Sequence, residues 1–250
     1  MSALTNRLRS AKLRLRPARR QQASEPNRER SSVGGSVECP VCRETFPAFA
    51  GRRCPRCRAF ERQRLVWLYL EQSGIEDPGL SILHIAPEAS FRARLESRPV
   101  YVAGDLDPER YSSDPRNPGI RRIDITAIPF ADATFDRIII NHVLEHVLDD
   151  RLAMRDLFRV LKPNGRLIGH HPVKWDRAET YEAPSITAPE ERERHFGQHD
   201  HVRIYGRDFE DRLRAAGFEV NRIDYHAQLP KATIKRYGLK PRIFHDCSKP

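Results

Sequence analysis

Two Cys-x-x-Cys pairs, Cys39-Pro-Val-Cys42 and Cys54-Pro-Arg-Cys57, stand eleven residues apart. Each short loop offers two thiolates to one side of an ion, and the spacer lets the chain double back to close a tetrahedron. Four Cys ligands leave no open coordination position. The chemistry expected is therefore a structural zinc site, with redox pairs and disulfides as the alternatives. A second group is His142-Val-Leu-Glu145-His146. On a helix, His142 and His146 share a face at i, i+4 with Glu145 beside them, and H-x-x-E-H also occurs in some zinc proteases. The run HFGQHDH crowds His195, His199 and His201 into seven residues. Asp105, Asp107 and Asp124 each follow a short apolar run. A carboxylate there accepts from two hydroxyls or an amino group; the plainer reading is an Asp that closes a turn, which Asp107 before Pro108 fits best.

The elements that position these groups are clearest between Ile120 and Val173. Ile120–Ile123 is a short strand ending at Asp124, and Phe135–Ile140 ends in three isoleucines, as a strand buried on both faces does. Asp149 and Asp150 supply negative charge to the start of a helix. Along it Leu148/Leu152, Ala153/Leu157/Leu161 and Met154/Phe158 repeat at helical spacing. Lys162 falls in its last turn, Pro163 stops it, and Asn164-Gly165 turns into the strand RLIGHH. Strand, helix and strand make a βαβ unit of a parallel sheet, whose chemistry gathers at the carboxyl ends of the strands. Those ends carry Asp124, Asn141, His142, His170 and His171. Upstream, Leu80–Ala86 is the first buried strand and Val100–Ala103 the second. The helix that precedes them assigns Trp67 and Tyr69 to the core. Downstream, Asp208–Ala216 is a helix stopped by Gly217, and Phe218–Tyr225 alternates as a late strand.

Three motifs, IDITAIPFADATFD, NHVLEHV and RVLKPNGRLI, resemble the class I S-adenosylmethionine-dependent methyltransferases, in the type 11-like branch. The resemblance spans about residues 60 to 225. It implies an α/β fold, a Rossmann-like seven-stranded methyltransferase sheet, here with a small N-terminal zinc ribbon, and S-adenosylmethionine as cofactor. Residue by residue, it implies that Asp105 holds the ribose and that Asp124 takes the adenine amino group, with the Ile125 amide at the ring. Asn141 lines the site, and backbone at Ala86 and Glu88 approaches the methionine end. The chain departs from the pattern where Ala86-Pro87-Glu88-Ala89-Ser90 replaces a G-x-G-x-G loop and His84 replaces an acid. The His84-x-Ala86-Pro87-Glu88 form is similar to one in a zinc-bearing sub-branch. H-x-x-E-H is also similar to the E-x-x-E-H of metal-dependent O-methyltransferases, which implies a second divalent metal near His142, Glu145 and His146. In metal-free relatives the same residues only orient the site. The general-base candidates are His142, His146 and His199.

At 250 residues, 39% of them hydrophobic, the chain holds one α/β domain plus a small module. It shows no apolar run of membrane-spanning length and no apolar signal core, so the expected compartment is the cytoplasm. The net charge is +10, but residues 1–36 hold nine Lys/Arg against two Asp/Glu. The basicity belongs to a tail, and the body is nearly balanced. In that tail Leu4, Leu8, Ala11 and Leu15 fall on one helical face among arginines. A solvated tail is the plain reading; a peripheral contact with an anionic membrane surface or with nucleic acid is the sharper one. The expected organisation is a basic flexible tail over 1–36, a zinc-ribbon-like module over 37–58, and a class I methyltransferase-like domain over 59–230. A substrate-facing insertion occupies 172–205 and residues 231–250 are unassigned. The expected function is methyl transfer to an oxygen or nitrogen of an acceptor of small-molecule or glycan type. One rival is a non-catalytic methyltransferase-fold scaffold, which the missing glycines favour. The other is an RNA methyltransferase, prompted by ribbon and tail and weakened by the balanced body.

Overall fold

The computed structural model describes residues 36–111 and 119–250. The basic tail before Ser36, with its expected membrane or nucleic-acid contact, lies outside them. Two short strands open the described chain, β1 (Val37–Glu38) and β2 (Thr45–Phe46), paired antiparallel. Helix α1 (Glu61–Gln72) follows, then β3 (Ile82–Ile85), α2 (Ala89–Leu95) and β4 (Tyr101–Asp105). Next come β5 (Arg121–Arg122), β6 (Phe135–Ile140), α3 (Asp150–Val160) and β7 (Leu161–Gly169). The insertion carries β8 (Tyr181–Glu182), α4 (Pro189–Phe196) and β9 (Arg203–Ile204), with β8 and β9 paired as a ribbon. The chain closes with α5 (Phe209–Ala215), β10 (Glu219–Ile223), α6 (Tyr225–Gln228), α7 (Lys231–Tyr237) and β11 (Phe244–Ser248).

Seven strands form one sheet in the order β5-β4-β3-β6-β7-β11-β10. Strands β3 to β7 pair parallel, while β11 runs antiparallel to both β7 and β10. The sheet is apolar on both faces because helices cover both. Leu83, Ile138, Ile140 and Leu167 face Met154 and Leu157 of α3 and Leu213 of α5. Their neighbours Ile82, Ile139 and Ile168 face Leu65, Trp67 and Leu70 of α1 and Phe91 of α2. Period-two alternation within a strand thus feeds two separate cores. Chain order reverses on either side of β3, which has β4 on one edge and β6 on the other. In open α/β sheets a ligand crevice opens at such a switch point.

Four expectations change. The strand at Ile120–Ile123 shortens to β5, where Arg121 and Arg122 pair with Gly104 and Asp105. The helix after Asp149 ends at Val160, because Leu161 already pairs with Phe135 in the sheet; Lys162 lies in a bulge, where its ammonium reaches Asp136 at 2.8 Å. The Asp149 carboxylate caps α3 by accepting from the Leu152 amide, so Leu148 precedes the helix and stays 77% exposed, with Leu152 at 38%. The segment left unassigned, 231–250, supplies α7 and β11, the strand inserted between β7 and β10, in which Cys247 is fully buried.

The cysteine module shares a buried apolar cluster with α1, and one buried arginine ties the two together. Arg64, 1% exposed, donates from Nη1 to the Ala59 and Arg52 carbonyls, from Nε to the Tyr237 carbonyl and from Nη2 to the Gly238 carbonyl. Its guanidinium also stacks on Phe49 at 3.7 Å. A buried charge is tolerable only with its donors satisfied, and four carbonyls do that here.

Candidate active site

The cysteine module has the local geometry its spacing predicts. In each C-x-x-C turn the residue after the second cysteine is left-handed, Arg43 at φ 59° and Arg58 at φ 66°. Each donates its amide back to the first cysteine's carbonyl, Arg43 to Cys39 and Arg58 to Cys54. The four sulfurs lie within 4.8 Å of one another. Cys39–Cys57 and Cys42–Cys54 are both 3.6 Å apart, close to the about 3.8 Å edge of a zinc tetrahedron with 2.3 Å bonds. Left to themselves four such thiols do not all ionise. The hydrogen bond from Cys57 lowers Cys39 to about 5, while burial and then the charge of Cys39 push Cys42 up to about 12. A dication among the sulfurs removes that conflict.

At the strand ends a line of hydrogen bonds crosses the switch point. Burial holds the Tyr101 phenol protonated, so its hydroxyl donates to His84 Nδ1 at 2.9 Å. The His84 Nε2–H then donates to Glu88 Oε2 at 2.8 Å, and Glu88 Oε1 accepts from Asn141 Nδ2 at 3.0 Å. Asn141 Oδ1 accepts the His170 amide at 2.8 Å. Beyond it His170 Nδ1 meets His142 Nε2 at 2.9 Å, and His142 Nδ1 lies 3.2 Å from Glu145 Oε1. Burial, then the neighbouring His142, lowers His170 to about 3, so it is neutral. Around this line opens a small cleft, lined by Arg62, Gln63 and Val66 of α1 with Glu88, Asn141, His142 and His170. Ala86, where a glycine was expected, takes a left-handed φ of 48°, a conformation glycine adopts freely and alanine at a cost. The Glu88 side chain is tied to His84 and Asn141.

The acids occupy the predicted strand ends but are engaged locally. Asp105 is 5% exposed; Oδ1 accepts the Asp107 amide at 2.9 Å and Oδ2 the Tyr111 hydroxyl at 2.7 Å. The turn-closing role assigned to Asp107 is therefore shared by Asp105, while exposed Asp107 accepts the Glu109 amide at 3.2 Å. Asp124 Oδ1 accepts both the amide and the hydroxyl of Thr126, at 2.8 and 2.7 Å. Ile125 is buried in the core.

The H-x-x-E-H run is not a helix. His142 is left-handed at φ 54°, and Leu144–His146 make a single 3₁₀ turn. The i, i+4 face expected for His142 and His146 is thereby lost. His142 turns to His170, and His146 turns to the insertion, with Nδ1 3.3 Å from Asp200 Oδ2. The possible metal group here is Glu145, His146 and His201, which corrects the expected set by replacing His142 with His201. Glu145 is 1% exposed and neither oxygen has a hydrogen-bond partner. The insertion is laced to this turn: the Val202 amide donates to Glu145 O, Arg203 to the Leu144, Val147 and Leu148 carbonyls, and Tyr205 to Leu144 O. His199 is exposed beside it. The sequence reading missed Arg62, His84, His170 and His201 as site residues. Arg62 carried no signal, whereas His170 stood at a strand end, His201 in the histidine-rich run and His84 in the place of an expected acid.

A sequence profile described as a methyltransferase domain matches residues 90–169. A ubiquinone/menaquinone biosynthesis C-methyltransferase, UbiE, of Klebsiella pneumoniae is 55% identical over 42 residues, 17% of this chain and 17% of that protein. A demethylmenaquinone methyltransferase of Mycolicibacterium paratuberculosis is 44% identical over 45 residues, 18% of this chain and 20% of that protein. The chain thus covers 17% to 20% of the length of these relatives. An S-adenosylmethionine-dependent methyltransferase structure from Mesorhizobium loti superposes with a TM-score of 0.51 at 16% identity, over 74% of this chain and 98% of that one. That likeness is one of fold. Strand order agrees with it: residues 90–169 are similar to a methyltransferase domain, and the chain has the fold of the class I S-adenosylmethionine-dependent methyltransferases, with a four-cysteine module before it.

Proposed function

We propose that the protein transfers a methyl group from S-adenosylmethionine to an oxygen or nitrogen of an acceptor bound in the cleft at the carboxyl ends of β3, β6 and β7. The carrying observation is the placement of Asp105, Asp124 and Asn141 at or just past the carboxyl ends of β4, β5 and β6, on either side of β3, in a sheet of this order. The residues fit the cofactor. Asp105 and Asp124 each keep lone pairs beyond those used in their turns, and left-handed Ala86 stands in for the missing glycine. When bound, the cofactor supplies an electrophilic methyl on a sulfonium. The chain's task is then to orient the acceptor, keep water out and take its proton. Of the three base candidates His142 fits best. It lines the cleft between His170 and Glu145, whereas His146 turns to the insertion and His199 is an exposed residue of the insertion itself.

The cysteine module is read as a structural zinc site, on the spacing of its four sulfurs. A second divalent cation at Glu145, His146 and His201 is a further reading, favoured by a buried carboxylate that accepts no hydrogen bond and has only His142 Nδ1, 3.2 Å from Oε1, beside it. Calorimetry with S-adenosylmethionine and S-adenosylhomocysteine on zinc-loaded protein tests the main claim. Removing the Asp105 carboxylate leaves ligand hydroxyls unpaired, at about 1–3 kcal/mol. Asp105→Ala is therefore expected to weaken binding by about tenfold or more, and Asp107→Ala by less. If neither compound binds the folded protein at millimolar concentration, the scaffold reading replaces the enzyme reading.

A further inference from the structure

The mouth of the cleft carries an unbalanced charge, and on the methyl-transfer reading that charge describes the acceptor. Arg62, in the first turn of α1, lines the cleft with Glu88, Asn141, His142 and His170. Among the described residues its guanidinium makes no ion pair; it stacks on Phe60 with its central carbon 4.5 Å from the ring centroid. Arg53 of the cysteine module stacks on the same ring at 4.2 Å. Arg242 stands close by, 3.3 Å from Glu61 Oε1, and Arg52 pairs with that same oxygen. Arg52 and Arg242 thus share the Glu61 carboxylate, and Glu88 is tied inward to His84 and Asn141, which leaves Arg62 without a carboxylate of its own among the described residues. Burial is the leading cause that disfavours the Arg62 charge, and Glu61 and Glu88 oppose it. After burial and His142, the charges that hold His170 neutral are Arg242 and Arg62. Arg62 shares the cleft lining with His142, the proposed base, and Arg242 reaches Glu61, the neighbour of Arg62 in α1.

A half-buried planar guanidinium that has neither carboxylate nor carbonyl on its fork offers that fork to an anion. We propose that the acceptor is an anion, a phosphate ester or a carboxylate, whose charged group is held by Arg62 with Arg242 beside it, while its hydroxyl or amine reaches His142. The competing occupant of Arg62 is the carboxylate of the cofactor itself.

Phenyl phosphate and benzoate serve as probes for the two anion sources, titrated by ligand-observed NMR into full-length wild-type, R62Q and R242Q protein. Each titration is run with and without saturating S-adenosylhomocysteine. At least one probe is expected to bind wild type at low-millimolar concentration or better, undisturbed by S-adenosylhomocysteine. R62Q should weaken it about tenfold and R242Q severalfold, while affinity for S-adenosylhomocysteine stays within about twofold. Arg62→Lys, which keeps the charge and loses the fork, should fall between. Competition between probe and S-adenosylhomocysteine, together with a tenfold loss of the latter in R62Q, would hand Arg62 to the cofactor and overturn the proposal. Probe binding indifferent to R62Q would overturn it equally. The probe arms without S-adenosylhomocysteine need no cofactor, so a wild-type protein that fails to bind S-adenosylhomocysteine counts against the methyl-transfer reading separately.

Discussion

At the scale of single residues, the departure from the glycine-rich loop is a substitution of one kind of order for another. Glycines let backbone approach a ligand; here Ala86 accepts the left-handed turn and Glu88 reaches back to His84 and across to Asn141. Glu88 therefore satisfies one donor on each side of the switch point. Replacing it with Ala leaves the His84 Nε2–H and an Asn141 amide hydrogen without acceptors in a buried setting, each costing about 1–3 kcal/mol. Glu88→Ala is expected to lower the urea unfolding free energy by about 2–4 kcal/mol, and Glu88→Gln, which keeps an acceptor for one of them, by roughly half that. Equal stability of all three proteins would mean that water meets both donors and that the line is not structural. The carboxylates and cysteines of the site were legible because their chemistry is tied to sequence spacing. His84, Arg62 and His201 were not, because each enters the site from an element whose neighbours only the fold decides.

At the scale of elements, β3, β6, β10 and α1 were readable from periodicity, since each has a continuous apolar face or run. The short pieces were not. H-x-x-E-H read as a helical face because i, i+4 spacing is the prior for two histidines; the left-handed His142 and the 3₁₀ turn at Leu144–His146 follow from the lacing of Val202, Arg203 and Tyr205 onto carbonyls of residues 144–148. No local pattern announces that contact. β11 was missed for a similar reason, as its sequence FHDCS alternates too briefly to read alone and is fixed by pairing with β7 and β10. The cysteine module shows how an element is held by another. Its sulfurs fix two turns, and Arg64 fixes those turns to α1 and α7. Stripping the metal should therefore do more than loosen the module. Chelation is expected to release about one zinc per chain from the four cysteines and to lower the midpoint of the main unfolding transition, because Arg64 loses the Ala59 and Arg52 carbonyls. Arg64→Met should uncouple the two events, leaving zinc content intact while chelation no longer moves the main transition. Freshly purified, reduced protein without zinc would refute the site itself.

At the scale of the whole molecule, several buried arginines are held by carbonyls or carboxylates, while Glu145 is buried with neither oxygen hydrogen-bonded. Arg64 has its four carbonyls; Arg212 pairs with Asp150, Glu182 and Asp208, and Arg203 with Glu182. The histidines behind the cleft follow the opposite rule and are buried neutral. His171 is 2% exposed with both ring nitrogens unpartnered, packed on Phe209 and His245. His245 is fully buried, with Glu210 3.4 Å from Nε2 and Trp175 and Phe209 against its ring. Burial lowers His245 from 6.5 to about 4, only partly opposed by Glu210, and lowers His171 further through burial and the neighbouring His245 and His170. In the unfolded chain both titrate near 6.5. Between that value and about 4 the unfolded chain binds protons that the folded chain refuses, so stability must fall as the pH falls through this window. For His245 alone the loss by pH 4 is on the order of 3 kcal/mol, at about 1.4 kcal/mol per pH unit. Urea unfolding curves at pH 7.5 to 4.5 should therefore show a declining midpoint. In His245→Gln and His171→Phe the slope should be shallower, even though each variant is less stable at pH 7.5. A slope unchanged by both substitutions would assign the acid sensitivity to the carboxylate pairs, whose own loss begins only below about pH 5.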